Sequence, residues 1–287
     1  MTRDKRLYQP QRMKEVLNKY NFKFTKALGQ NFLMDGNIVR NIVQGAGVTA
    51  EDVVLEVGPG IGTLTEELAL RAKKVYSVEI DQRLLPVLEE TLKDYTNVKV
   101  IHKDILDFHW EEFLKEEEID QKLRIVANLP YYITTPILES ILEKTSCVDS
   151  ITVMVQKEVA ERMVAKVGDK AYGSLSLFIE YYAQAEIIGR VSRSVFMPSP
   201  DVDSAVVHLT IREKSFQGDE DLLFKLIRSG FTKRRKTILN SLTSGFVAIS
   251  KSELREILKV LDLAENLRAE NLSLEDYKNI TNRINKN

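Results

Sequence analysis

Residues 52–81 read DVVLEVGPGIGTLTEELALRAKKVYSVEID, and the fold turns on how this stretch changes its period. DVVLEVG is an apolar run of strand type, and KVYSVEID is a second. Between them TLTEELALRA carries its apolar residues at helical spacing. The helix is opened by Gly58, Gly60 and Gly62, glycines that let the backbone pass close to a ligand with no side chain in the way. Glycines in such a turn also serve tight packing, so the triplet alone decides nothing about chemistry.

The alternation continues outward. QRLLPVLEETLKDY reads as helix, VKVIHKD and RIVANLP as strands, TPILESILEK as helix, SITVMVQ as strand, and KEVAERMVA as the start of a helix. AEIIGRV and SAVVHLTI add two more strands. Apolar strands alternating with helices predict an α/β fold, a parallel sheet covered on both faces. Upstream, Met13, Val16, Leu17 and Tyr20 mark a short amphipathic helix, followed by a basic, glycine-containing loop and a helix from about Asn37 to Ala46. After Arg212 only helical patterns remain: EDLLFKLIRSGF, RRKTILNSL, KSELREILKVL and SLEDYKNITNRI. The polar tract REKSFQGDE sets the expected boundary, giving a domain over 1–212 and a small helical one over 213–287.

The chain of 287 residues is 44% hydrophobic with a net charge of −1, enough apolar content for a sizeable core and no uniformly basic coat. Its basic residues are nevertheless clustered. Eight Lys or Arg fall within residues 1–30, among them Lys23 and Lys26, and Lys233, Arg234, Arg235 and Lys236 run together downstream. Such patches can engage phosphates even on a neutral protein, although solvated helix faces explain many charge runs. Cys147 is the single cysteine, which suits a reducing compartment. No run approaches the roughly 20 apolar residues of a membrane span, and the N-terminus lacks a signal-peptide core; a cytoplasmic protein is expected. His102, His109 and His208 share no ligand spacing, so no metal site is expected.

The strand ends carry the chemistry. A dinucleotide fingerprint wants Gly or Ala three positions after Gly60, where Thr63 stands, so a pyrophosphate ligand loses ground. Glu79 ends the second strand, 21 residues beyond Gly58, and a carboxylate there can accept both ribose hydroxyls. Asp104 ends the next strand at the same edge, placed to accept from an adenine amino group. An adenosine without phosphates, gripped at ribose and base, describes S-adenosylmethionine, and an acidic edge suits its sulfonium. The plainer alternative is that Glu79 and Asp104 only cap the helices that follow.

VANLPYYITTPIL, residues 126–138, ends the fourth strand of this series at that edge. Pro130 fixes φ near −65° and aims the Leu129 carbonyl outward. With the Asn128 side-chain oxygen, that carbonyl makes a pair of acceptors matched to the two hydrogens of an exocyclic amine. Tyr131 offers a flat face on which a base can stack. Two acceptors holding the hydrogens of an adenine N6 would localise its lone pair toward a methyl donor. A proline turn with a buried Asn is the plainer alternative.

ALGQNFLMD, LEVGPGIGTLT, VEID, NLPYYITTPIL, VFMPSPDVDSAVV and RRKTILNSL together resemble the ribosomal RNA adenine dimethyltransferase family, most closely its small-subunit branch. Six ordered motifs spanning nearly the whole chain make the resemblance specific. It implies a seven-stranded, Rossmann-like methyltransferase fold using S-adenosylmethionine, with a small all-helical C-terminal domain. It implies dimethylation at N6 of two adjacent adenosines in the 3′-terminal hairpin loop of 16S rRNA, within the small ribosomal subunit or its precursor, linked to ribosome assembly, by a monomer. Carried over by position, Asn31 and Leu33 line the cofactor together with Gly58, Gly60, Gly62, Glu79, Asp104 and Asn128. The catalytic set is Asn128, Leu129, Pro130 and Tyr131, and Phe196 closes on the other face of the target base. Lys23, Lys26 and the cluster Lys233, Arg234, Arg235 and Lys236 would meet RNA phosphates. The family pattern often has Asn after the motif tyrosine; Tyr132 stands here, and the resemblance gives it no role.

Three rival readings remain. One is a resistance-type enzyme methylating a large-subunit (23S) adenosine, although Leu129, where such enzymes tend toward Ile, and the C-terminal LRAENLSLEDY resemble the small-subunit branch. Another is a non-catalytic RNA-binding assembly factor, disfavoured by the intact set Gly58, Glu79, Asp104 and Asn128. A nicotinamide-linked oxidoreductase is disfavoured by Thr63 and by the NLPY tract.

Overall fold

Strands that are apolar on both faces need cover on both, and the computed structural model supplies it with helices flanking a seven-stranded sheet. It describes residues 6–25, 29–144, 147–233, 235–245 and 249–284. The strands in chain order are β1 (Phe32–Leu33), β2 (Val53–Val57), β3 (Lys74–Glu79), β4 (Val98–His102), β5 (Leu123–Asn128), β6 (Val148–Gln156), β7 (Ala183–Val191), β8 (Phe196–Met197) and β9 (Ser204–Ile211). The large sheet runs β4-β3-β2-β5-β6-β9-β7. All five residues of β2, at the centre of the parallel part, are buried, whereas edge strand β4 is only partly so. The order reverses beside β2, which is where open α/β sheets bind ligands.

The expectation of a parallel sheet holds for β2 to β6 and fails beyond them. β9 pairs with β6 in antiparallel register, Gln156 opposite Ser204. Hydrophobic pattern sets which face is buried, not strand direction, so this reversal leaves no trace in the local sequence.

Two helices escaped the periodicity reading. Trp110–Glu116 lies in an acid-rich tract and is anchored by Trp110 and Phe113, which pack with Phe108 at centroid separations of 5.0 Å. Ser174–Tyr182 buries seven of its nine residues and so shows no polar face to mark it.

By contacts the chain forms two compact units, one of Met1–Ala160 with Glu186–Ile211, the other of Glu161–Ala185 with Arg212–Asn287. The second unit thus takes in residues 161–185 in addition to the expected C-terminal helices. The reason is visible within it: the Tyr172 hydroxyl donates to the Leu272 carbonyl at 3.0 Å, and Phe178, Tyr181 and Tyr182 pack on Phe224. Its helices are capped by sequence-local means, Asp219 for Glu220–Thr232 and the Ser250/Glu253 box for Lys251–Val260. Lys233, Arg235 and Lys236 are not helical as expected. They form an exposed turn closed by the Lys236 N–H on the Lys233 carbonyl, before Thr237 caps the helix Ile238–Gly245. Among the described residues no helix is long and apolar enough to cross a membrane, and no cluster of His, Cys, Asp or Glu is placed to hold a metal.

Candidate active site

β2, β3, β4 and β5 end along one edge of the sheet, above a cleft of about 1240 Å³ including its open mouth. Asn31, Leu33, Gly58, Gly60, Glu79, Asp104, Asn128, Leu129, Pro130 and Tyr131 all line it. Strand order brings Gly58, Glu79, Asp104 and Asn128 to one edge, and the loop before β1 adds Asn31.

The three loop glycines, all at positive φ, do different work. A Cβ on Gly58 would meet nothing within 4 Å, so its missing side chain leaves room in the cleft. A Cβ on Gly60 would lie 2.9 Å from the Phe32 ring, and one on Gly62 3.0 Å from Leu92. Gly60 thus admits Phe32. Gly62 does not line the cleft; it serves the helix start and its packing, which corrects its expected part in ligand binding. Thr63, the residue that broke the dinucleotide pattern, lines the cleft with a buried hydroxyl that has no hydrogen-bond partner. An unspent buried donor of this kind calls for a ligand.

Glu79 ties two motifs together. Its carboxylate accepts from the Gly60 N–H at 3.3 Å and the Asp81 N–H at 2.8 Å, and burial pushes its pKa up to about 7. Glu56, wholly buried behind it, is also pushed up to about 7 by burial while accepting from Thr65 and Ser77. Asp104 does cap the following turn, accepting from the Leu106 N–H at 2.9 Å, yet it lines the cleft as well. The capping and binding readings are therefore compatible. Open space at Gly58, the Thr63 hydroxyl and the carboxylates of Glu79 and Asp104 fit a phosphate-free adenosine carrying a positive centre.

At the tip of β5 the Asn128 amide donates through Nδ2 to the Asn31 carbonyl at 3.1 Å, which leaves Oδ1 as the available acceptor. Pro130 sits at φ −60° and ψ 129°, and among the described residues none donates to the Leu129 carbonyl. Leu129 lines the cleft although the residue as a whole is only 1% exposed. Tyr131 is held by its hydroxyl, 2.5 Å from the Ser204 Oγ at the start of β9. That link, across 73 residues, ties the NLPY tract to the end of VFMPSPDVDS.

Phe196 does not reach the site. β1 and β8 pair with Leu33 opposite Phe196 and Phe32 opposite Met197. Opposed residues share a face, so Leu33 and Phe196 enter the core with Val39, Ile42 and Val206, while Phe32 and Met197 pack toward Ile61 and Leu84. At 2% exposure Phe196 is a core residue, which corrects the expectation that it covers the target base.

Sequence reasoning missed the fastening of the N-terminal loop. Gln30 Nε2 donates to Asp81 Oδ2 at 2.7 Å, and Arg83 binds the same carboxylate through Nε and Nη2. Arg83 also reaches the Lys23 carbonyl and the Thr25 hydroxyl and lies 5.2 Å from the centre of the Phe22 ring. These bonds hold the Asp81 carboxyl below the usual range. Arg83→Met is expected to speed amide exchange over residues 22–25 about 5- to 10-fold, read by hydrogen exchange, because it removes the bonds that fasten this loop. Ile80, half exposed at the cleft, was missed as well.

The basic residues differ in availability. Lys19 pairs with Glu90 and Arg6 with Glu66, so part of the N-terminal charge is spent internally. Lys23 is exposed, as are Lys233, Arg235 and Lys236, while Lys26 and Arg234 lie outside the described residues.

The family model for ribosomal RNA adenine dimethylase matches residues 21–286. A ribosomal RNA small subunit methyltransferase A of Alkaliphilus oremlandii is 47% identical over 97% of this chain and 98% of its own length. That of Clostridioides difficile is 48% identical over 95% and 94%. Among solved structures, a dimethyladenosine transferase from Plasmodium falciparum superposes with a TM-score of 0.74 at 29% identity, covering 89% of this chain and 98% of that one. The 23S rRNA methyltransferase ErmE gives 0.66 at 26% identity, covering 89% and 100%.

Proposed function

The chain belongs to the ribosomal RNA adenine dimethylase family, and from that premise we propose that it transfers methyl groups from S-adenosylmethionine to N6 of two adjacent adenosines in the 3′-terminal hairpin loop of small-subunit rRNA. The observation that carries the reading is the pair of open acceptors, Asn128 Oδ1 and the Leu129 carbonyl, in the same cleft as Glu79 and Asp104. The higher identity to small-subunit enzymes than to ErmE supports the choice of RNA.

Glu79 accepts the ribose hydroxyls and Asp104 the base amine of the cofactor, with Gly58 giving it room and Asn31 bracing Asn128. When bound, S-adenosylmethionine would supply an electrophilic methyl carbon and leave a neutral thioether; the proton on the methylated nitrogen would pass to solvent after transfer, so the nucleophile needs no strong base. The acceptor pair hydrogen-bonds the N6 hydrogens, two in the first transfer and one in the second, and draws that nitrogen out of conjugation with the purine. Tyr131 stacks on the base and fixes its plane, converting a bimolecular encounter into an aligned one. N6 is occupied in a duplex, so the target enters from a single strand or flipped out. Lys23 and the exposed Lys233, Arg235 and Lys236 supply charge for backbone phosphates.

The test is to offer immature small and large subunits with labelled S-adenosylmethionine and to analyse nucleosides. Label in N6,N6-dimethyladenosine of the small-subunit RNA is expected. Label confined to the large subunit, or none, overturns the reading.

A further inference from the structure

Tyr132 stands at the mouth of the cleft with 57% of its surface exposed. Its neighbour Tyr131 spends its hydroxyl on Ser204. Among the described residues Tyr132 has no hydrogen-bond partner and no aromatic ring against it. It is nonetheless braced. An ideal Cβ on Gly29, a residue at φ 58°, would lie 3.1 Å from Tyr132 Cδ1 and 3.5 Å from Cε1, so one edge of the ring packs closely against Gly29. The Gly29 carbonyl accepts from Asn31 Nδ2 at 3.0 Å, and the Asn31 carbonyl accepts from Asn128 Nδ2. An aromatic ring is thus linked in three steps to the catalytic amide, fixed at one edge and open to solvent.

A base drawn into the cleft leaves the neighbour it was stacked on facing water, a loss that opposes binding. A fixed, open aromatic ring beside the pocket restores that contact, because every base has a π-face. We propose that Tyr132 is the platform on which the base adjacent to the target stacks while the target occupies the Asn128 site. This makes Tyr132 a substrate-binding residue that sets affinity for RNA, distinct from Tyr131, which faces the base being methylated. The inference rests on the methyltransferase reading given above.

The test measures KM, kcat and S-adenosylhomocysteine affinity on small-subunit particles carrying either the native adenosine or a uridine, a weakly stacking base, beside the target. Tyr132→Leu is expected to raise KM for native particles about 5- to 100-fold, with kcat and cofactor affinity within about twofold. Tyr132→Phe, which keeps the ring, rescues KM. The uridine raises KM for the wild type and adds nothing further in Tyr132→Leu, since both changes remove one contact. An unchanged KM in Tyr132→Leu, or an equal uridine penalty in both proteins, overturns the platform while leaving the enzyme reading intact. A wild type that transfers no methyl to native particles removes the enzyme reading, and the platform with it.

Discussion

Asn128→Ala is expected to lower kcat by about 10²- to 10³-fold, with RNA binding unchanged and cofactor affinity falling only a few-fold. Removing one preorganised partner of the reacting group costs this much when charge at that group changes in the transition state. The uncatalysed difficulty is electronic: an amine conjugated with a purine holds its lone pair in the ring. The Asn128 Oδ1 and Leu129 carbonyl counter this together in the first transfer, and in the second one acceptor still holds the remaining N6 hydrogen, so loss of the amide weakens both steps. The modest loss in cofactor affinity follows from the second bond of the same amide, Nδ2 on the Asn31 carbonyl at 3.1 Å. Asn128→Asp separates the two roles. It keeps an acceptor toward the base but sets a carboxylate against a carbonyl, so kcat is expected to exceed that of the alanine variant while cofactor binding weakens more. Single-turnover rates with saturating cofactor measure the first quantity, and calorimetry the second. Equal kcat for wild type and Asn128→Ala would remove the amide from the chemistry.

Position in sequence indicates which residues line the cleft better than it indicates the contacts around them. Strand ends are legible because apolar runs stop where the chain leaves the sheet, and βαβ order brings those ends to one edge. Glu79, Asp104 and Asn128 were found this way. What sequence cannot show is which neighbour a residue meets across the fold. Gly60 and Gly62 look alike in the motif, but one faces Phe32 and the other Leu92. Phe196 takes its expected base-facing role from family resemblance alone, and its pairing opposite Leu33 turns it into the core. The Gln30–Asp81–Arg83 fastening spans 51 residues between two polar tracts that have no local pattern in common. Lys233 to Lys236 extend a helical pattern, yet Thr237 is a better cap than a helix interior residue and stops it.

Glu79→Gln is expected to weaken S-adenosylhomocysteine binding about 100-fold at pH 8 and to remove most of its pH dependence. The glutamine loses two charge-assisted bonds to the ribose and must point an amide N–H at either the Gly60 or the Asp81 N–H, both of which the carboxylate now accepts. In the free protein burial holds Glu79 near a pKa of about 7. Ribose hydroxyls bond the ionised form, so the bound pKa lies lower, and binding expels a proton between the two values. Affinity for the wild type therefore rises with pH up to about 7 and then levels. Titrations between pH 5.5 and 8 in buffers of differing ionisation enthalpy count that proton. Asp81 is held ionised by Arg83, whereas Glu56 is also pushed up to about 7 and feels the Glu79 charge, so the difference between wild type and the glutamine variant gives the share of Glu79 together with its coupling to Glu56. The same carboxyl acts on the cofactor-free fold with the opposite sign. Its folded pKa is above the ordinary 4.5, so its stabilising contribution is complete below 4.5 and is lost as pH rises through about 7. Protection by the cofactor against thermal unfolding should then widen from pH 6 to pH 8, and a protection independent of pH would assign the ribose contact to another residue.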